Sequence, residues 1–240
     1  MRAEIRGAYL KPSRFTGFFC NGSMPKHNIT LAIFFLTGSA IALLVLVVVK
    51  HNEVLSTTIQ YLVEDASTDH GKKNLMLGSS SIRRLEDRNI LKCGPWLNRG
   101  IGNSRISSLQ YYLSWSQLVI DPSIVLVYAG ENDISTGMST DEVFEQYKAL
   151  VRQLTDKFPD SDIHLVAIKY SPRRQSRWRE FKSVNLKIQN YVSDLPRIFF
   201  HPFPETGGTA QSSFLDDGIH LTEQGYNLFI SGFNEECATL

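Results

Sequence analysis

The feature that most constrains this chain is a run of 21 residues without a charge, Ile29 to Val49 (ITLAIFFLTGSAIALLVLVVV). At 1.5 Å rise per residue, a helix of that length spans a hydrocarbon core of about 30 Å. A soluble core helix is the other reading, but core helices this long keep a polar face. Arg2, Arg6, Lys11, Arg14 and Lys26 precede the run against Glu4 alone, whereas Lys50 is followed by Glu53, Glu64, Asp65 and Asp69. That basic excess predicts a cytoplasmic N-terminus, with the bulk of the chain outside the cytoplasm. A cleaved signal peptide would have a shorter apolar region and a small-x-small site. Here Lys50-His51-Asn52-Glu53 follows, which favours an uncleaved signal anchor, and Met24 offers an alternative start.

The expected organisation is a basic cytoplasmic segment (1–28), a transmembrane anchor (29–49), a helical stalk (50–70) and a soluble domain (71–240). The stalk places Val54, Leu55, Ile59, Leu62 and Val63 at helical spacing, and either packs on the domain or continues the membrane helix. A chain that is 42% hydrophobic and 20% charged is neither disordered nor polytopic. With 25 Lys+Arg against 24 Asp+Glu it has no nucleic-acid footprint. Three cysteines, Cys20, Cys93 and Cys237, are too few for a disulfide scaffold, and none has the CxxC or CxxH spacing of a structural zinc site. Spacing does not decide whether Cys93 and Cys237 pair.

From Gly71 onward, apolar runs alternate with helical patterns. Asn74–Gly78, Ser123–Ala129, Asp162–Ile168 and Arg197–Phe200 read as strands, with Trp96-Leu97-Asn98 as a brief one. Runs apolar on both faces predict parallel strands covered on both sides. Asp141–Lys157 with Thr140 as N-cap, Phe181–Val192 and Thr222–Phe233 read as helices. The alternation predicts a three-layer α/β/α doubly wound parallel sheet, whose site lies at the carboxyl ends of the strands.

Four segments fall at those ends. Gly78-Ser79-Ser80-Ser81-Ile82 sets a serine over the sheet edge with its N–H at a helix start, placed to steady an oxyanion. A Gly-Ser turn with a capping serine is the plain alternative. Asn98-Arg99-Gly100-Ile101-Gly102-Asn103-Ser104 reads alone as a tight turn, and Gly130-Glu131-Asn132-Asp133 offers an amide donor. Asp216-Asp217-Gly218-Ile219-His220 spaces Asp and His three apart, so that a carboxylate can orient an imidazole as base for a serine. In this order the segments resemble blocks one, two, three and five of the SGNH, or GDSL-type, hydrolase family, whose fold is flavodoxin-like. Gly78-Ser79-Ser80 stands where the family has Gly-Asp-Ser. The resemblance implies Ser80 as nucleophile, Asp217 and His220 as its partners, and Asn132 as an oxyanion donor, while Asp216 matches no catalytic position. Asn103 falls where the family has a Gly whose N–H lines the hole. Asn tolerates left-handed φ, so the expected oxyanion hole is Ser80, Asn103 and Asn132, with Asn103 narrowing the mouth or adding a polar contact.

The resemblance implies a serine esterase acting on an acyl ester of a polysaccharide or lipid. With the anchor, the expected place is the periplasmic face of a bacterial inner membrane. An O-acyltransferase on the same triad and a non-catalytic envelope scaffold are the alternatives, and the presence of all four polar catalytic side chains argues against the scaffold. No phosphate loop follows a strand and no His/Asp/Glu cluster has metal-ligand spacing, so no metal or cofactor is expected; His164 and His201 read as structural. The segment Ser171–Arg179 holds four Arg within seven residues, in a domain balanced at 19 basic and 19 acidic. It follows a strand, which makes Arg173, Arg174, Arg177 and Trp178 a candidate rim for anions and sugar faces. Arginines paired with neighbouring carboxylates are the alternative.

Overall fold

Five short apolar runs become one parallel sheet. The computed structural model describes residues 47–49, 51–85, 91–204 and 211–237. In it, β1 (Asn74–Gly78), β2 (Trp96–Gly100), β3 (Ile124–Tyr128), β4 (Asp162–Val166) and β5 (Ile198–His201) pair in the order β2-β1-β3-β4-β5. Every pairing is parallel, and the register sets Gly78 beside both Gly100 and Tyr128. β1 and β3 are buried at every position, which is why a run such as IVLVY carries no polar alternate. The winding reverses between β1 and β3, and the crevice outside their carboxyl ends is where such sheets bind ligands.

The expected strands are present, with β2 extended to Gly100 and β5 displaced by one residue to His201. The helices are α1 (Glu53–Ser67), α2 (Ser80–Arg83), α3 (Ile106–Trp115), α4 (Glu131–Ser135), α5 (Thr140–Lys157), α6 (Trp178–Val192), α7 (Glu223–Phe229) and α8 (Ser231–Cys237). Three boundaries correct the sequence expectation. The N-cap of α5 is Ser139, not Thr140. Its Oγ accepts from the Glu142 N–H (3.3 Å) while the Glu142 carboxylate accepts from the Ser139 N–H (2.8 Å), a reciprocal capping box. The helix expected over Thr222–Phe233 is two helices broken at Ile230. α6 starts three residues early, at Trp178.

The stretch after the apolar run folds as α1, capped by Asn52, which accepts from the Leu55 N–H (3.0 Å). One buried carboxylate holds this helix. Asp65 accepts from Arg99 Nη2 (2.6 Å) and Nε (3.1 Å), from the Tyr112 hydroxyl (2.6 Å) and from Ser116 Oγ (2.8 Å). The Arg99 guanidinium lies over the Tyr61 ring, and the Tyr61 hydroxyl donates to the Gly100 carbonyl (3.0 Å). α1 is therefore bound to β2 and α3. At the other end of the chain, Cys93 and Cys237 form a disulfide with a Cα–Cα distance of 6.1 Å, joining α8 to the segment before β2. The predicted membrane span, apart from Val47–Val49, and the basic segment before it lie outside the described residues. Among the described residues no helix is long and apolar enough to cross a membrane.

Asp65→Ala strands Arg99 in the interior without its main partner. Denaturant unfolding should register a loss of about 3–5 kcal/mol. Tyr112→Phe removes one donor and should cost about 1–3 kcal/mol. Losses under about 0.5 kcal/mol for both, the range of neutral surface substitutions, would show that the cluster does not hold α1.

Candidate active site

β1 ends at Gly78 and turns at once into α2, of which Ser80 is the first residue. Two residues of β2 set the height of that turn. A Cβ on Gly100 would lie 2.2 Å from the backbone nitrogen of Arg83, so only glycine lets α2 approach so closely. The Asn98 amide donates to the Ile82 carbonyl (2.8 Å), and its Oδ1 accepts from the Gly100 N–H (2.8 Å), a clasp between strand and helix.

His220 comes from the loop before α7. Its Nε2 is 3.1 Å from Ser80 Oγ and its Nδ1 is 2.6 Å from Asp217 Oδ2. Asp217 Oδ1 accepts from the backbone N–H groups of Ile219 and His220, both at 2.9 Å, so one local turn fixes carboxylate and imidazole together. Burial works against the charge on Asp217. The hydrogen bonds from the His220 ring and from the two N–H groups outweigh it and hold the carboxyl well below the usual range. An ionised Asp217 keeps the imidazole proton on Nδ1 and leaves Nε2 to accept from the serine. Asp216 is exposed beside it.

Ser80 and Asn103, two of the three expected oxyanion donors, line one cavity with His220. The backbone N–H groups of Ser80 and Asn103 have no acceptor among the described residues. Asn103 sits at φ 58°, in the left-handed region that asparagine accepts. Its side chain supplies the polar contact that the sequence left open, donating to Glu53 Oε2 (2.7 Å), and Glu53 also pairs with Arg83. Asn132 is held at both ends: Nδ2 donates to the Ser104 carbonyl (2.9 Å) and Oδ1 accepts from Arg174 Nη2 (3.0 Å). Gly130, at φ 93°, makes the turn that starts α4. A Cβ there would meet Ile168 Cδ1 and Tyr147 Cε2 at 2.9 Å.

The residues flanking Asn132 are buried acids whose partners the sequence did not reveal. Glu131 accepts from the Tyr128 hydroxyl (2.6 Å), Lys169 and Ser171, and Arg174 Nη1 lies 3.0 Å away. Burial alone would raise its carboxyl, but the charges of Lys169 and Arg174 hold it below the ordinary range. Burial pulls the Lys169 amine down. Asp133 accepts from the first N–H of α3, that of Ile106 (3.1 Å), and caps that helix from a distance.

The arginine-rich segment is a short 3₁₀ turn, Pro172–Arg177, running into α6. Arg174 turns inward onto Glu131 and Asn132, and Arg177 pairs with Glu180 (3.2 Å). The Trp178 indole donates to the Ser171 carbonyl (3.0 Å) and packs edge-on against Tyr170. Arg173 is exposed, and its backbone N–H donates to the Gly218 carbonyl (3.1 Å), bracing the loop that carries Asp217. Arg174 and Arg177 thus follow the carboxylate-pairing alternative. The basic groups beside Ser80 are instead Arg83 and Arg84, which line a cavity of about 360 Å³ together with Glu53, Ser80, Asn103 and His220. Helix position after a Gly-Ser turn was the one sequence signal that could have found them.

The sequence model of the GDSL-like lipase/acylhydrolase family matches residues 78–228. The chain belongs to that family. It is an ester hydrolase, in keeping with both lipases and esterases among the solved structures that share its fold. A GDSL-like lipase from Bacteroides thetaiotaomicron superimposes with a TM-score of 0.64 at 16% identity, over 76% of this chain and 97% of that one. A member of the lipolytic G-D-S-L family from Veillonella parvula gives 0.57 at 16%, over 71% and 100%. A family 3 carbohydrate esterase from Clostridium thermocellum gives 0.54 at 13%, over 70% and 98%. At such identities the likeness is one of fold. No curated protein sequence matches the chain.

Gly100→Ala should move α2, and Ser80 with it. The expected result is a lower melting temperature together with slower labelling of the protein by a fluorophosphonate. Unchanged melting and labelling would mean that β2 does not set the position of Ser80.

Proposed function

We propose that this acylhydrolase is a membrane-anchored serine esterase that cleaves an O-acyl ester of a polysaccharide or lipid outside the cytoplasm. The observation that carries the reading is the unbroken hydrogen-bonded line from Asp217 through His220 to Ser80, at the switch point of the sheet. Ser80 Oγ attacks the acyl carbon as His220 Nε2 takes its proton. Asp217 keeps the imidazole oriented and stabilises it when it is charged. The N–H groups of Ser80 and Asn103 and the Asn132 amide receive the oxyanion. His220 then protonates the departing alkoxide, and water hydrolyses the acyl-enzyme with His220 again as base.

Location rests on three supports. The apolar run and its basic flank favour an anchor with the domain outside. The Cys93–Cys237 disulfide suits an oxidising compartment such as the periplasm. Glu53 lines the catalytic cavity and stands four residues after Val49, and that much extended chain reaches at most about 14 Å. A substrate held at or near the membrane surface fits a pocket so tethered.

Ser80→Ala should remove nearly all ester hydrolysis, with Ser79→Ala and Ser81→Ala retaining much of it. His220→Ala should cost about as much as Ser80→Ala, because the residues act as a unit. Asn132→Ala should lower kcat by about 10²–10³; a loss under about threefold would remove Asn132 from the oxyanion role. Loss of labelling in Ser79→Ala alone would put the nucleophile one residue earlier.

Fusing alkaline phosphatase to the C-terminus reads the topology. Activity is expected from that fusion, and silence from a reporter that works only in the cytoplasm. The opposite pattern would reverse the orientation drawn from the basic flank.

A further inference from the structure

Far from the serine, two histidines and a glutamate converge. His164 lies in β4, and His201 ends β5. In the parallel register Val166 faces His201 and His164 faces Phe199, so the two histidines stand diagonally on one face of the sheet. Glu236 reaches them from α8. His164 Nδ1 and His201 Nε2 are 2.8 Å apart, and Glu236 Oε2 is 3.9 Å from the first and 3.7 Å from the second. Phe199 and Phe233 pack on the imidazoles and give the cluster an apolar wall.

We infer that His164, His201 and Glu236 form a binding site for a divalent transition-metal ion, Zn²⁺ in the first instance, which clamps α8 onto the edge strand. The size of the triangle argues for it. Sides of 2.8, 3.7 and 3.9 Å place one point about 2.05 Å from all three atoms, which is the length of Zn–N and Zn–O bonds. The donor set argues for it as well, since two imidazoles and one carboxylate suit Zn²⁺ better than Mg²⁺ or Ca²⁺. Both imidazole side chains are buried, 1% and 6% exposed, while that of Glu236 is 31% exposed and leaves a solvent side where water completes the coordination.

The exchange balances without a redox step. One hydrogen now bridges the two facing ring nitrogens. On binding, that proton moves to the far nitrogen of its own ring, the rings turn until both lone pairs meet the ion, and the carboxylate binds as an anion. Both imidazoles stay neutral. The ion would hold α8 one residue from the disulfide at Cys237, giving the C-terminal helix two adjacent fastenings. β5 lies three strands from β1, about 14 Å across the sheet, so the site is structural rather than part of the ester chemistry.

The test uses the untagged full chain in detergent, freed of metal with EDTA. Two readouts serve: thermal unfolding with added Zn²⁺, and the visible spectrum with added Co²⁺. One equivalent of Co²⁺ should give the ligand-field bands of a nitrogen/oxygen site, and sub-millimolar Zn²⁺ should raise the melting temperature by several degrees, because the ion binds only the folded chain. Glu236→Gln and His201→Gln should each weaken Zn²⁺ binding about tenfold or more. Fluorophosphonate labelling reports that each variant is folded. If His201→Gln does not fold, Glu236→Gln decides alone, since that side chain reaches the surface and the substitution keeps its shape. No stabilisation and no Co²⁺ bands, or wild-type binding by a folded Glu236→Gln, would overturn the assignment.

Discussion

Two buried carboxylates on either side of Asn132 register the loops of the crevice. Taking a carboxylate out of water costs several kcal/mol, and the cost is recovered only when its lone pairs are well occupied. Glu131 satisfies that condition by drawing in the end of β3 through Tyr128, the residues after β4 through Lys169 and Ser171, and the next turn through Arg174. Asp133 goes only part of the way: it takes the first N–H of α3, next to the loop that carries Asn103 and Ser104, and burial still leaves its carboxyl above the ordinary range. α4 is only five residues long, too short to be stable through helix propensity. Its geometry comes from these contacts, and with it the direction of the Asn132 amide.

A third buried acid does comparable work on the β2 side. Asp65 fastens α1 against Arg99, and α1 in turn carries Glu53 to the wall of the cavity that holds Ser80 and His220. Glu53 receives the Asn103 side chain and pairs with Arg83, so it touches both the loop that offers a backbone N–H and the helix that offers Ser80. The segment following the apolar run is therefore a member of the site rather than a spacer. A displacement of α1 would reach Asn103 through a single hydrogen bond.

Much of this was legible in the sequence, for identifiable reasons. Strands buried on both faces leave unmistakable apolar runs, and the bonds of the Asp217–His220 turn span only two or three residues. Asn103 could be assigned a left-handed φ because few other non-glycine residues tolerate one. What failed depended on distant partners. Thr140 and Ser139 are both plausible caps, and the choice between them turns on which hydroxyl meets the Glu142 N–H. The break at Ile230 has no proline or glycine at the point of rupture to announce it. Asp65 with Arg99, Glu131 with Lys169, and the His164–Glu236 cluster join residues dozens of positions apart, and only the strand order brings them together.

The arginine-rich segment shows why a local count of charge is a weak guide to a surface. A guanidinium becomes available to a ligand only after the carboxylates of the fold have been served. Arg174 serves Glu131, and Arg177 serves Glu180. The Arg83–Glu53 pair beside Ser80 differs from the buried Arg174–Glu131 pair and resembles Arg177–Glu180: its side chains are 47% and 45% exposed, against 44% and 32%. Exposed pairs of that sort are worth about 0–1 kcal/mol. An anionic group on a substrate could therefore exchange with Glu53 for Arg83 at small cost, whereas displacing Glu131 from Arg174 would strand a carboxylate in the interior. The exposed pair beside Ser80 is thus the one that an anion can open, while the buried one keeps Asn132 in place.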